Sequence, residues 1–151
     1  MPLPQDFLAA AKLSDAELKA MVDAGDPMAK LLYPNRQLDN AILAINGLDE
    51  SKLRNGDDPR AAIALPVYVE ISAAMRGSNN PFAIYTNGRM QYSLSTDHPP
   101  EYLAGAIFAA YAKGDRRATR IFNDFAQAHP GMSNTTIMQI FSGYVTDYRK
   151  N

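Results

Sequence analysis

Residues 79–94, "NNPFAIYTNGRMQYSL", admit two incompatible readings, and the choice between them decides the fold. As a β-hairpin, the stretch turns at Asn87-Gly88, a dipeptide suited to the positive backbone angles of a two-residue turn. Tyr85, Thr86 and Tyr92 add strand preference. As a helix, it opens at Asn80, whose side chain can accept from a free backbone amide. Pro81 then occupies the first turn, where its missing N–H costs nothing. A lone two-stranded ribbon is marginal unless it packs on something. The surrounding sequence therefore has to decide.

That surrounding sequence is punctuated as helices. In "SDAELKAMVDAGDP", Ser14 stands three residues before Glu17, the spacing at which each side chain satisfies the other's backbone amide. Leu18, Met21 and Val22 follow as an apolar stripe. Gly25 can adopt the left-handed conformation that stops a helix, and Asp26-Pro27 can cap and open the next. Gly114-Asp115 repeats the device, and helices joined this tightly should form a hairpin. Further starts stand at Asp58-Pro59, Asn80-Pro81, Asp97-His98-Pro99-Pro100 and Ser133. Ile137, Ile140, Phe141, Tyr144 and Tyr148 fall on one face of a last amphipathic helix. Pro34 and Pro66 lie inside apolar stretches and should break or kink them. The polar loop 46–58 is the natural place for an insertion, and no linker divides the chain into two domains.

With 151 residues, a single domain buries about two-thirds of its unfolded surface. A hydrophobic content of 46% with 21% charged residues fits a folded protein and argues against a disordered one. Net charge is −1, so nothing global draws in nucleic acid or an anionic membrane. The charges are mildly segregated, −4 over residues 1–75 and +3 over 76–151. The absence of cysteine excludes disulfides, zinc-thiolate sites and cysteine nucleophiles. No apolar run approaches the roughly 18–20 residues of a membrane span. The N-terminus does not read as an intact signal peptide, so a cytoplasmic location is expected, or a periplasmic one if a signal has been removed.

Three stretches align with one another: 17–37, 70–90 and 106–126. Each has a small or apolar helix end, a glycine, a capping residue, and an alanine followed by an aromatic residue or leucine. Gly77 to Gly114 is 37 residues, and Gly25 to Gly77 is 52, which fits the same unit enlarged by the polar loop. Helix-pair solenoids repeat at about 34 residues or somewhat more. Residues 60–92 resemble the Sel-one-like repeats, relatives of the tetratricopeptide repeats, at Ala64, Tyr68, Ala73, Ala74, Gly77, Ala83, Tyr85 and Gly88. Degenerate copies match at Gly25, Asp26, Ala29 and Leu32, and at Ala109, Ala110, Gly114 and Ala118; Asn123 stands where a glycine is expected.

The resemblance implies an all-α fold: antiparallel helix pairs stacked as a short right-handed solenoid. Its units would cover about 14–45, 58–94 and 99–129, with a capping helix at 133–149 and seven or eight helices in all. In that register Gly88 marks a close helix crossing, and a mixed fold with a hairpin at 82–94 is the alternative.

No constellation for catalysis stands out. His98 and His129 show no metal-ligand spacing, and no serine lies in a nucleophile elbow. There is no phosphate loop or dinucleotide fingerprint. Asp57-Asp58 and Asp49-Glu50 suit caps and turns better than an acid–base pair. No enzyme activity, cofactor or metal is expected.

What remains is a surface. Arg116, Arg117, Arg120 and Asp124 cluster after Gly114, with Arg120 and Asp124 one turn apart. They suit either a solvated helix side or a docking patch for an acidic partner. In such solenoids the first helix of each pair lines the concave groove. Asn87, Arg89 and Gln91 hold corresponding positions in the preceding unit, beside Tyr85 and Tyr92, which can be core fillers or exposed anchors. Candidate partner-binding residues are thus Tyr85, Asn87, Arg89, Arg116, Arg120 and Asp124. The resemblance implies a module that binds another protein through a groove, as adaptor or assembly factor. A bacterial immunity-type inhibitor of a cognate toxin is the alternative.

Overall fold

The computed structural model describes residues 2–49, 51, 59–76, 78, 80–95 and 99–149, without the side chains of 75, 76 and 147–149. Among these residues there are eight α-helices and no strand: α1 (Pro4–Ala11), α2 (Asp15–Asp23), α3 (Pro27–Asn46), α4 (Arg60–Arg76), α5 (Pro81–Leu94), α6 (Glu101–Ala112), α7 (Ala118–Ala128) and α8 (Asn134–Arg149). The expected all-α class holds, and the hairpin alternative at 82–94 is replaced by α5. None of these helices is long and apolar enough to cross a membrane. The starts expected at Asp58 and Asp97-His98, Gly77, and most of the 46–58 loop lie outside the described residues.

The helix ends form as their residues dictate. Ser14 Oγ accepts from the Glu17 amide at 3.1 Å, and Glu17 Oε2 accepts from the Ser14 amide at 2.7 Å. Gly25 and Gly114 take φ of 89° and 101°. At the first, Gly25 N donates to Val22 O and Asp26 N to Met21 O; at the second, Gly114 N donates to Tyr111 O and Asp115 N to Ala110 O. Both pairs are the six-to-one and five-to-two bonds of a glycine-terminated helix. Asp26 Oδ1 then caps α3 by accepting from Ala29 N at 2.7 Å.

Of the break or kink expected at the two internal prolines, the break does not occur: α3 runs through Pro34 and α4 through Pro66. Pro66 lies on the exposed side of α4, where water can serve the Ala62 carbonyl that has lost its donor.

The backbone groups into two compact units, Pro2–Ala74 and Met75–Asn151. In the first, α3 packs against α1 and α2. Arg36 of α3 donates to the carbonyls of Ala10 and Leu13 at the end of α1, supplying a cation where the helix dipole favours one. One turn on, Asn40 Nδ2 donates to Asp15 Oδ2 at 3.1 Å. Leu18, Ala29, Leu32, Leu38, Val67 and Ile71 are all buried.

In the second unit α6 is central and packs against α5, α7 and α8. Glycine sets two of these crossings. A β-carbon on Gly88 would sit 2.3 Å from Ala106 Cβ, far inside contact distance, so α5 meets α6 closely only because that side chain is missing. Gly105 plays the same part toward α8, where an added β-carbon would meet Ile140 Cγ2 at 2.6 Å and the Ile137 carbonyl oxygen at 3.3 Å. Ile84, Ala106, Ala109 and Tyr144 form one buried cluster, flanked by Ile140 and Phe141.

Candidate functional site

The six candidate residues separate into a buried set on α5 and an exposed set on α7. Helix α5 is covered nearly all round: Ala83, Ile84, Tyr85, Thr86, Gly88 and Met90 are buried. Tyr85, at 7% exposure, belongs to a cluster with Ile107, Ala110 and Ala118, edged by Phe82, Leu103, Phe122 and Phe125. It is a core residue and cannot serve as a surface anchor. Asn87 is half-buried and donates from Nδ2 to the Tyr144 hydroxyl at 2.8 Å, tying α5 to α8. Arg89 is half-buried as well.

On α7 the buried or half-buried positions are Ala118, Phe122, Phe125 and Ala126, and His129 just past the helix end continues the same side. The other side carries Arg120 and Asp124, and Arg116 stands exposed in the turn before the helix. Arg120 and Asp124 form no ion pair, although they are one turn apart. These three side chains are therefore a solvent-facing charged row. They lie on or before the second helix of their pair, whereas the repeat resemblance places a groove on first helices.

Behind this row is a buried polar contact that sequence spacing did not reveal. Asp115 is 6% exposed. Its Oδ1 accepts from the Arg117 amide at 3.0 Å and from Arg117 Nε at 3.2 Å, which positions Arg117 at the start of α7. Asp115 Oδ2 and the Tyr85 hydroxyl are both closed off from water, and neither has a hydrogen-bond partner. Burial first, and the Asp115 carboxylate second, push the Tyr85 phenol well above its usual range, so it keeps its proton. Two buried polar groups thus face each other where α5 meets the α6–α7 junction.

Two further contacts join distant elements. Glu101, 7% exposed in the first turn of α6, accepts at Oε1 from the Ser133 amide at 2.6 Å and so supplies an acceptor at the start of α8. A glutamate after two prolines suits a helix start, but nothing local points to a recipient 32 residues away. His129 Nδ1 donates to the Phe125 carbonyl at 3.0 Å. The other ring nitrogen, Nε2, pairs with the Tyr92 hydroxyl, also at 3.0 Å. The ring lies against Phe125 at 4.2 Å between centroids. His129 thus works as a structural pin between α5 and α7. His98 and Asp57-Asp58 lie outside the described residues.

Among the described residues no group of three or more histidine or carboxylate side chains is placed to hold a metal ion. Comparison with known proteins finds no matching family model, curated protein or solved structure.

Proposed function

We propose that this chain is a non-catalytic protein–protein interaction module, an adaptor or assembly factor that holds a partner protein on a surface built from stacked helix hairpins. The observation that carries the reading is the row Arg116, Arg120 and Asp124. It is fully solvent-facing and free of mutual ion pairs, on a helix whose other side is locked into an aromatic core. Arginine is among the residue types that most often carry interface energy, because its planar fork can meet a carboxylate with two bonds. Further support comes from the neighbours of α6: the helix before it, the helix after it, and the next but one. That is the neighbour pattern of helix pairs stacked in sequence. The buried contacts at Asp115 and Glu101 are accounted for by the helix junctions they join.

The test is capture of partners from a native lysate with the full chain, followed by affinity measurement on the recovered protein. Reversal of both arginines (Arg116→Glu with Arg120→Glu) should leave the helical circular dichroism unchanged and weaken binding by about tenfold, since each rim charge contributes little but reversal adds repulsion. Unchanged affinity in the doubly reversed variant would remove this row from the interface. A very tight one-to-one complex with a toxic protein would instead favour the immunity-type inhibitor.

A further inference from the structure

The positive charge of residues 76–151 is concentrated at one place. Lys113, Arg116, Arg117 and Arg120 are four of the eight basic side chains in that range, and all four are exposed where α6 meets α7. Residues 102–123 contain a single carboxylate, Asp115. It is buried, and its Oδ1 is engaged by Arg117. Burial thus removes the local counter-charge from the surface, while Arg116 and Arg120 stay exposed with no ion pair. Asp124, one turn beyond Arg120, is also exposed and unpaired. Two large apolar side chains stand out from water-facing positions in the same stretch, Tyr111 at 53% and Ile121 at 43% exposure.

We propose that this surface binds an acidic helical segment of another protein, with carboxylates opposite Arg116 and Arg120 and a basic residue opposite Asp124. The proposal rests on the reading of this row as an interface and names the chemistry of what it holds. Arg116, Arg120 and Asp124 are each four residues apart, a step of about 6 Å along a helix. Arg116 precedes α7, but Ala118 N donates to Asp115 O and Arg117 has helical backbone angles, so the turn continues the course of the helix. Positions four apart on a second helix repeat the same step, so one row of charges can meet the other. Each guanidinium offers a planar fork that a carboxylate can accept with both oxygens. Tyr111 and Ile121 supply the apolar contact that an interface sets beside its polar groups.

The order of the charges selects this occupant over two others. A second copy of the row fits badly: parallel pairing sets like charge on like throughout, and antiparallel pairing sets Arg120 on Arg120. A nucleic acid carries negative charge at every step, so its backbone meets Asp124 with repulsion, and the chain as a whole has a net charge of −1. A protein segment can change sign along its length, as this row does.

The test uses the full chain and synthetic alanine-rich helical peptides of about 20 residues, long enough to hold helix in isolation. One peptide carries Glu, Glu and Lys at four-residue spacing, and its control carries Lys, Lys and Glu. Fluorescence anisotropy at low salt should give the acidic peptide a Kd on the order of 100 µM, at least tenfold tighter than the control. Raising the salt to about 150 mM should weaken that binding, because the contacts are exposed to solvent. Arg116→Glu with Arg120→Glu should invert the preference between the two peptides, with unchanged circular dichroism. Asp124→Lys should shift the preference toward a peptide with Glu at all three positions. Equal binding of the two peptides, or a preference untouched by the double reversal, overturns the proposal. Tighter binding of a single-stranded oligonucleotide than of the acidic peptide would overturn the protein segment as occupant. A native partner that is lost on double reversal, without any peptide preference, would keep the row as an interface and overturn the acidic helix. A native partner insensitive to the reversal would remove the row itself.

Discussion

Helices α4 and α6 are alike in sequence character and different in fate. "RAAIALPVYVEISAAMR" and "EYLAGAIFAAYA" both carry apolar residues on every side, so neither has an obvious solvent face. In α6 that demand is met: Ala104, Ala106 and Ala110 are 0% exposed, and Ile107 is 1% exposed, among three neighbouring helices. In α4 one side is buried and another is left bare. The difference lies in the crossings. Gly105 lets α8 approach α6, and Gly88 lets α5 approach it. An apolar circumference states that a helix needs cover. Whether cover arrives depends on neighbours that can come close enough.

The largest effect should come from closing those crossings. Gly88→Ala or Gly105→Ala adds a single carbon, and helix propensity alone would make either change favourable by about 1 kcal/mol. Overlap with Ala106 at 2.3 Å, or with Ile140 at 2.6 Å, forces the helices apart. We expect a net loss of roughly 2–3 kcal/mol, a fall in Tm of about 4–12 °C. Thermal unfolding decides the matter, because a rise in Tm would mean that α6 is not tightly crossed.

A smaller, pH-dependent effect is expected on α4 itself. Burial raises the Glu70 carboxyl above its ordinary value, and Lys19 only partly offsets this. The folded state therefore holds this proton more tightly than the unfolded one. Stability falls as pH rises through the range from the ordinary glutamate value to the raised one, and the cost persists above it. Glu70→Gln removes that cost. The variant should melt about a degree higher than the parent at pH 7, with the gap closing by about pH 3, a modest shift because Glu70 is only half-buried. A gap that persists at low pH would assign the effect to something other than ionisation.

The smallest effect should come from the bare strip. Leu65→Ser, measured in dilute solution, should change stability by no more than about 0.5 kcal/mol, because that side chain is already in water. Ile107→Ala in α6, a buried control, should cost several times as much in the same denaturation experiment. Comparable losses at the two positions would show that the α4 strip is covered within the monomer.

Much of this architecture was legible because it rests on contacts between near neighbours in the chain. The box at Ser14 and Glu17, the glycine stops at Gly25 and Gly114, and the caps at Asp26 and Asn80 all form within about five residues. Gly88 was legible for another reason. Its place in a repeated pattern outweighed the local turn signal of Asn87-Gly88, and the helix runs through it. The candidate face was legible only in part. The α7 row could be read from spacing alone, but Tyr85 and Asn87 could not be told from surface residues. The hydroxyl of Tyr85 faces Asp115, 30 residues further on, and Asn87 reaches Tyr144, 57 residues away.

The sequence by itself determined most of the helix starts and stops, while the structure decided that 81–94 is a helix and not a hairpin and that α3 and α4 run through Pro34 and Pro66. Capping bonds and backbone angles are set by groups that cannot move far from one another. Only the tertiary structure decided which apolar faces are buried, that Tyr85 fills the core, and that Glu101 serves the start of α8. Burial depends on a second surface arriving from elsewhere in the chain. Two helices of similar apolar character can therefore differ in how much of their surface is covered.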